Sequence, residues 1–262
     1  MNIITLLSDF GLKDGYVAQM KGVISSLCTA HLIDITHEIL PHNIAEGAFI
    51  LRCVAPYFPK STIHVGVVDP GVGTNRRGII VSTDKHVFIG PDNGLLLPAA
   101  HLFGEITVYN ISNKKYLQNS VSNTFHGRDI FAPVAAYIFN GIFYDEIGEK
   151  INNYIDFDFG QAKKQQNSIV GKIIYIDRFG NCITNISVDL IQNDIVYGDK
   201  INVELGDIST KILFVQSYGY GKKDDVLAII GSSNYVEITV NQGSAAKKLS
   251  LKEGDGIQLH IS

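Results

Sequence analysis

The sequence predicts an α/β fold: an N-terminal, sandwich-like α/β domain with a mostly parallel sheet, followed by a small, barrel-like all-β domain. Up to about residue 151, short apolar runs alternate with segments whose apolar residues recur at helical spacing. From residue 169 onward, almost every segment is a short apolar run bounded by turn residues. The stretch 156–168 is polar and has no periodicity. We therefore expect domains at 1–155 and 169–262, joined by a linker at 156–168.

The first domain is predicted to begin with a buried strand, Ile3 to Leu7, which ends in a polar turn around Asp9. A helix with one apolar face follows Asp14. Asn43, with Glu46 three residues later, resembles a capping box and predicts the start of a second helix. Further strands are expected near 32–35, 65–68, 79–82, 86–89 and 106–111, with another helix after residue 129. The second domain has predicted strands at 169–176, 201–205, 211–215, 226–230, 235–240 and 257–261.

Composition excludes several classes of function. The chain has 262 residues, of which 45% are hydrophobic and 18% charged, and this balance is typical of a compact folded protein. A net charge of -4 offers no basic surface for nucleic acid or an anionic membrane. The three cysteines are far apart, which indicates free thiols and no zinc site. Because the sequence has neither a signal-peptide pattern nor a long apolar span, we expect a cytoplasmic protein.

Polar residues stand at the ends of four apolar runs in the first domain. They are Asp9 with Asp14, Asp69 with Arg76, Asp92 with Asn93, and His126 with Arg128 and Asp129. In an open α/β sheet, strand ends on one side face a common crevice, so we expect these clusters to converge. The alternative for each cluster alone is structural: an Asp-Pro-Gly turn with a solvated arginine at 69–76, or a histidine at a helix start. In the second domain, Asp177 and Asn181 flank a glycine and are equally consistent with a hairpin turn.

Familiar catalytic motifs are absent: the chain has no GxGxxG after its first strand, no phosphate-binding GxxxxGK[ST], no HExxH, no CxxC and no GxSxG. Histidine, aspartate and arginine without a metal motif indicate acid-base or electrostatic chemistry on a small ligand.

Six segments together resemble one enzyme family. They are SDFGLKDGYV, VVDPGVGTNRRG, GPDNG, FHGRDIFAP, IDRFGNCITNI and VNQGSA, in this order and across almost the whole chain. The resemblance is to the adenosine-forming S-adenosylmethionine (SAM) hydrolases, or SAM hydroxide adenosyltransferases, which are related to SAM-dependent fluorinase and chlorinase. It implies an N-terminal α/β domain, a C-terminal β domain, and a homotrimer whose sites lie between neighbouring subunits. SAM is then the substrate, and no cofactor or metal is implied.

The same resemblance implies roles for individual residues. Asp69, Arg76 and His126 match the catalytic set of the hydrolases, and Asp9 matches the carboxylate that binds the ribose diol. Asp177 and Ser232 match contacts on the methionine side, and Asn181 matches a contact to the adenine. Asp14 and Ala245 are the other implied substrate-binding residues. The segment Gly231-Ser232-Ser233-Asn234 departs from the family pattern, because it lacks a glycine after the serine pair.

The implied reaction is attack by a water-derived nucleophile on the 5′ carbon of SAM. Methionine leaves as a neutral thioether, so the site needs an aligned nucleophile and no acid for the leaving group. Asp69 or neutral His126 would accept the proton while Arg76 steadies the hydroxide, although pairing with Arg76 would weaken Asp69 as a base. A halogenase and a non-catalytic SAM or adenosine sensor are the alternatives. A carboxylate about 4 Å from a halide would repel it by roughly 4 kcal/mol at an effective dielectric constant near 20, which disfavours the halogenase.

Overall fold

The computed structural model describes residues 3–206 and 208–261, and the chain divides into two compact units between Phe157 and Asp158. The first unit is α/β and the second is a β-barrel, which confirms the predicted fold class. Within the described residues, no helix has the length and apolar character that crossing a membrane requires. Cys28, Cys53 and Cys182 are not joined to one another by disulfide bonds.

The first unit is built on a mixed sheet of seven strands. They are β1 (Ile3–Ser8), β2 (His31–Thr36), β3 (Ile63–Val67), β4 (Gly78–Ser82), β5 (Val87–Pro91), β6 (Thr107–Asn110) and β7 (Lys150–Ile151). Their order is β2-β1-β3-β5-β4-β6-β7. The pairings among β2, β1, β3 and β5 are parallel, whereas β4, β6 and β7 pair antiparallel. The carboxyl ends of β1, β3 and β5 therefore share one edge of the sheet with the start of β4.

Five helices cover this sheet: α1 (Tyr16–Leu27), α2 (Ile44–Val54), α3 (Leu97–Ala100), α4 (Ala132–Phe139) and α5 (Tyr144–Ile147). Met20 and Ile24 of α1 join Val134 of α4 in the buried cluster against the strands. The predicted cap of α2 is confirmed, since the Asn43 side chain accepts a hydrogen bond from the Glu46 backbone N–H at 3.1 Å. The Glu46 carboxylate bonds the Leu40 backbone N–H and so does not complete the reciprocal box.

The second unit is a closed barrel. Its strands are β8 (Lys163–Gln165), β9 (Ser168–Ile176), β10 (Cys182–Ser187), β11 (Lys200–Leu205), β12 (Ile208–Phe214), β13 (Val226–Ile230), β14 (Tyr235–Val240) and β15 (Gly256–His260). They follow the order β10-β14-β13-β12-β11-β15-β9-β8, and pairing of β9 with β10 closes seven of them into the barrel. Two short helices, α6 (Val188–Ile191) and α7 (Ala245–Lys248), join strands. Alternate side chains of β11, Ile201, Val203 and Leu205, point into its core.

Two features of this unit differ from the sequence expectation. Lys163–Gln165, placed in the linker, forms β8 and pairs antiparallel with β9. Cys182–Ser187 is a full strand although it carries Thr184 and Asn185, both buried. The Thr184 hydroxyl donates to the Val236 carbonyl at 2.8 Å, so a polar residue is accommodated inside the barrel wall.

Candidate active site

The parallel half of the first sheet brings distant parts of the chain to one edge. Asp9 directly follows β1, and Asp69 stands two residues after β3. Arg76 lies two residues before β4, which runs antiparallel and so begins at the same edge. Carboxyl ends of parallel strands are the usual location of ligand sites in such sheets.

A cleft of about 270 Å³ opens at this edge. The residues that line it are Asp9, Phe10, Tyr16, Pro41, His42, Val67, Asp69, Val72, Thr124, Phe125, His126 and Gly127. Asp9, Asp69 and His126, which were predicted from sequence, are thus brought together on one cavity wall. The Asp9 carboxylate accepts a hydrogen bond from the His42 backbone N–H at 2.9 Å, which fixes its position in the cleft.

Asp69 and Arg76 form a buried, bidentate ion pair. The Arg76 Nε donates to Asp69 Oδ1 at 3.0 Å, and Nη2 donates to Asp69 Oδ2. Only 9% of the Arg76 side chain and 5% of the Asp69 side chain are exposed. The guanidinium also donates to the Arg77 carbonyl at 2.9 Å and lies 5.5 Å from the centre of the Phe131 ring. Because Asp69, the Arg77 carbonyl and the Phe131 ring all contact the guanidinium, its orientation is fixed and the ion pair is rigid.

His126 completes the group. Its Nδ1 lies 2.9 Å from Arg76 Nη2. A guanidinium has donors and no acceptor, so Nδ1 accepts this bond, and a neutral imidazole must then carry its proton on Nε2. Burial lowers the pKa of His126, the Arg76 charge lowers it further, and Asp69 and Asp129 oppose that change. The imidazole is therefore neutral near pH 7, with an N–H available to donate.

Three aromatic rings contribute to the apolar lining of the cleft. The Phe10 and Phe125 ring centres are 5.6 Å apart, and Tyr16 lies 5.2 Å from Phe125 and 5.8 Å from Phe10. The Phe10–Phe125 and Tyr16–Phe125 contacts are edge to face. Sequence reasoning did not assign these rings, because nothing in their spacing shows that they meet. All three do stand inside the SDFGLKDGYV and FHGRDIFAP segments, and that was the available signal.

Two predicted residues of the first unit lie elsewhere. Asp14 is exposed in the turn before α1 and is not among the residues that line the cleft. Asp92 is 3% exposed and bonds to Arg77 Nε at 3.0 Å and Nη2 at 2.6 Å. Its other oxygen accepts the Ile155 backbone N–H at 2.8 Å. The expected convergence is therefore wrong for Asp92, which instead anchors the chain near β7. Its predicted neighbour Asn93 does reach the segment before Asp69, because its amide donates to the Val68 carbonyl at 2.8 Å.

The second unit has its own cleft of about 580 Å³, lined by Asp177, Phe179, Asn181, Tyr218, Thr239, Val240, Gln242 and Gly243. Asp177 Oδ1 accepts the backbone N–H groups of Phe179 and Asn181, each at 2.9 Å. Asp177 Oδ2 accepts from the Asn181 amide at 2.8 Å, and the Asn181 Oδ1 accepts from the Thr239 hydroxyl at 2.5 Å. Asp177 thus stabilises its own turn while one lone pair of Oδ2 remains for a ligand.

Ser232 and Ala245 do not line this cleft. Ser232 is exposed in the turn between β13 and β14. Ala245 is 0% exposed, because its methyl group packs in the barrel core at the start of α7. Any contact from Ala245 to a ligand would have to come from its backbone. The structure therefore brings two of the four predicted residues of the second unit, Asp177 and Asn181, to one surface.

Among the residues that the structure describes, no cluster of three or more histidine, cysteine, aspartate or glutamate side chains is arranged to hold a metal ion. The site is thus described by its protein side chains: one carboxylate, one guanidinium, one imidazole and an aromatic wall.

Comparison with known proteins identifies the family. Residues 4–148 match the model of the SAM hydroxide adenosyltransferase N-terminal domain, and residues 171–258 match that of the C-terminal domain. The (R)-S-adenosyl-L-methionine hydrolase of Methanocaldococcus jannaschii is 37% identical, over 99% of this chain and 96% of that protein. A fluorinase of Actinopolyspora mzabensis is more distant, at 26% identity over 98% of this chain and 96% of that protein.

A solved structure agrees with these matches. The uncharacterized conserved protein from Thermotoga maritima has a TM-score of 0.93 and 35% identity, with 98% of this chain and 99% of that chain covered. Both units of the fold are therefore shared with that structure over almost all of this chain. The chain belongs to the SAM hydroxide adenosyltransferase family.

Proposed function

We propose that this protein hydrolyses S-adenosyl-L-methionine to adenosine and L-methionine. The observation that carries the proposal is the hydrogen-bonded group of Asp69, Arg76 and His126, in which Asp69 and His126 line the first cleft and Arg76 joins them from behind its wall. Water is a poor nucleophile, and a carboxylate, a fixed cation and a neutral imidazole can orient and deprotonate it for attack on the carbon that carries the sulfonium.

In the proposed step, one water molecule attacks the 5′ carbon from the side opposite the sulfonium. The new O–C5′ bond forms while the C5′–S bond breaks, and its electron pair leaves on a neutral thioether. Because His126 Nδ1 accepts from Arg76, the Nε2–H is the part of the imidazole free to donate to the water oxygen. Neither nitrogen of His126 is then left to accept a proton, so Asp69 takes the proton of the water through a lone pair that its two bonds from Arg76 leave free. Arg76 balances the negative charge that develops on the oxygen.

Binding residues are assigned on the same basis. Asp9 would accept the ribose hydroxyl groups, and the rings of Phe10, Tyr16 and Phe125 would exclude water around the reacting carbon. Asp177 and Asn181 of the second cleft would bind the methionine and adenine ends.

The assembly is also part of the proposal. We infer from the family resemblance a homotrimer in which a neighbouring copy supplies the residues of the second cleft. Light scattering would then give a mass of about three times 28.7 kDa. We further propose that the enzyme acts in the cytoplasm, with SAM as substrate and no bound cofactor.

The test is a product assay with the two sulfonium epimers of SAM supplied separately. From the epimer that the enzyme accepts, we expect adenosine and methionine in equal amounts. In ¹⁸O-labelled water, the label should appear on the 5′ oxygen of that adenosine. Asp69→Asn should abolish release while retaining SAM binding by calorimetry. Label absent from adenosine, or methylthioadenosine as the product, would contradict the proposed step.

The same assay separates the alternatives. With chloride added, a halogenase would form 5′-chloro-5′-deoxyadenosine, which the buried Asp69 carboxylate disfavours by repelling the halide. A sensor would bind SAM and return it unchanged.

A further inference from the structure

Asp129 is a second buried carboxylate near the cleft, in the FHGRD segment. It is 1% exposed and lies in the π-helical turn Gly127–Phe131 that leads into α4. Arg128 Nε donates to Asp129 Oδ1 at 2.6 Å, and Nη2 donates to Oδ2 at 3.0 Å. Oδ2 also accepts the Ser122 backbone N–H at 2.8 Å. Buried carboxylates with this many charge-assisted bonds hold their surroundings in place.

The segment that Asp129 holds is part of the cleft wall. Ser122 begins the loop that carries Thr124, Phe125 and His126 to the cleft. Arg128 Nη1 donates to the Gln19 amide oxygen on α1 at 2.9 Å, so the carboxylate is braced against a second helix. Both ends of the loop are thereby fixed, one through Ser122 and the other through the helix that follows His126.

This loop also contacts the loop that carries Asp69 and Arg76. A Cβ atom added at Gly73 would lie 2.2 Å from the Asn123 carbonyl oxygen, so the two backbones touch there. A shift of the Ser122–Phe125 loop would therefore change the separation of His126 from Arg76.

Charge adds to this mechanical role. The charged groups that act on the His126 imidazole are Arg76 and Asp69 from the loop after β3, and Asp129 from its own helix. Asp9 lines the same cleft. The negative charge of Asp129 raises the pKa of His126 and so opposes the effects of burial and of Arg76. Asp129 therefore acts on the imidazole through its charge as well as through the bonds that hold the loop.

We propose that Asp129 is a positioning residue for the catalytic imidazole, holding His126 Nδ1 against Arg76 and balancing the Arg76 charge. This inference rests on the proposed SAM hydrolysis for its kinetic consequence. It does not place Asp129 in contact with substrate.

The test compares Asp129→Asn with the matched variant Asp92→Asn. Asp92 is also a buried carboxylate bonded by an arginine and a backbone N–H, but it lies outside the cleft. Asparagine at 129 can still accept the Ser122 N–H but loses the charge. We expect kcat to fall about tenfold with KM changed less than about threefold, because small displacements of catalytic groups reduce rates steeply. The acid limb of the kcat–pH profile should move to lower pH, since a group that raises the pKa of His126 is gone.

A second variant and a second readout keep the test decisive. Arg128→Gln removes the bond to Gln19 and the ion pair with Asp129 but keeps the Asp129 carboxylate, so kcat should fall while the acid limb stays in place. Imidazole ¹⁵N shifts report the protonation of His126 without turnover, so they decide the role of Asp129 even if wild-type protein releases no adenosine. An unmoved His126 titration and unchanged kcat in Asp129→Asn, or the same changes in Asp92→Asn, would overturn the proposal.

Discussion

Replacing Arg76 with lysine tests whether the catalytic group needs the several donors of a planar guanidinium or only a positive charge. Arg76 makes two bonds to Asp69, one to His126 and one to the Arg77 carbonyl, from three different nitrogen atoms. A lysine ammonium is a single point with three protons and cannot reach all four acceptors. We expect Arg76→Lys to keep the ion pair with Asp69 and lose the bond to His126.

The expected magnitudes follow from the number of bonds lost. At about 1.5–3 kcal/mol for each hydrogen bond to a charged group, losing the bonds to His126 and to the Arg77 carbonyl lowers the free energy of unfolding by roughly 3–6 kcal/mol. Loss of a preorganised donor reduces kcat by about 10²- to 10³-fold. Urea unfolding gives the first quantity, and adenosine release from SAM gives the second.

Arg77→Lys is the matched control, because Arg77 forks onto the buried Asp92 outside the cleft. It should reduce stability and leave kcat within about twofold, as expected for a group outside the site. If Arg76→Lys retained wild-type kcat, or if Arg77→Lys lost as much, the guanidinium would have no special part in catalysis.

Three further predictions concern stability and loop geometry. Burial, aided by His86, lowers the pKa of His64 to about 3 from 6.5, so protonation of the unfolded chain should remove about 4 kcal/mol of stability as pH falls from 6.5 to 3. Urea titrations of His64→Asn should show a smaller slope in that range. Burial, and then Asp177, raise the pKa of Glu237 to about 7 from 4.5, so stability should fall by about 3 kcal/mol as pH rises from 4.5 through 7, and Glu237→Gln should abolish that slope. Gly73→Ala should lower kcat about tenfold, because φ is +77° and the new methyl would meet the Asn123 carbonyl; an unchanged rate would show that the two loops are independent.

Local chemistry explains what the sequence could predict of the fold. The Asn43 cap depends only on a side-chain oxygen and an N–H three residues on, and it is formed as expected. The strand Cys182–Ser187 is not predicted from the sequence, because it contains the polar residue Thr184. The hydroxyl of Thr184 is satisfied by the Val236 carbonyl, which lies on another strand. A hydrogen bond between residues that are distant in the sequence cannot be predicted from the local pattern of apolar residues.

The candidate site shows the same limit. Asp69 and Arg76 are seven residues apart on one turn, so their proximity follows from the loop between β3 and β4. Asp92 stands at an equally suitable strand end, yet it forms an ion pair with Arg77 outside the cleft. Choosing between two arginines adjacent in sequence requires knowing which way each side chain leaves the backbone, and that is decided by tertiary packing.

Product analysis of SAM with wild-type protein and Asp69→Asn side by side is the most direct test of the central claim. The account predicts equimolar adenosine and methionine from the wild type, with oxygen from solvent at the 5′ carbon. It predicts no release from the variant, although the variant still binds SAM. Equal turnover by both proteins would contradict the assignment of Asp69 as the group that receives the proton of the attacking water.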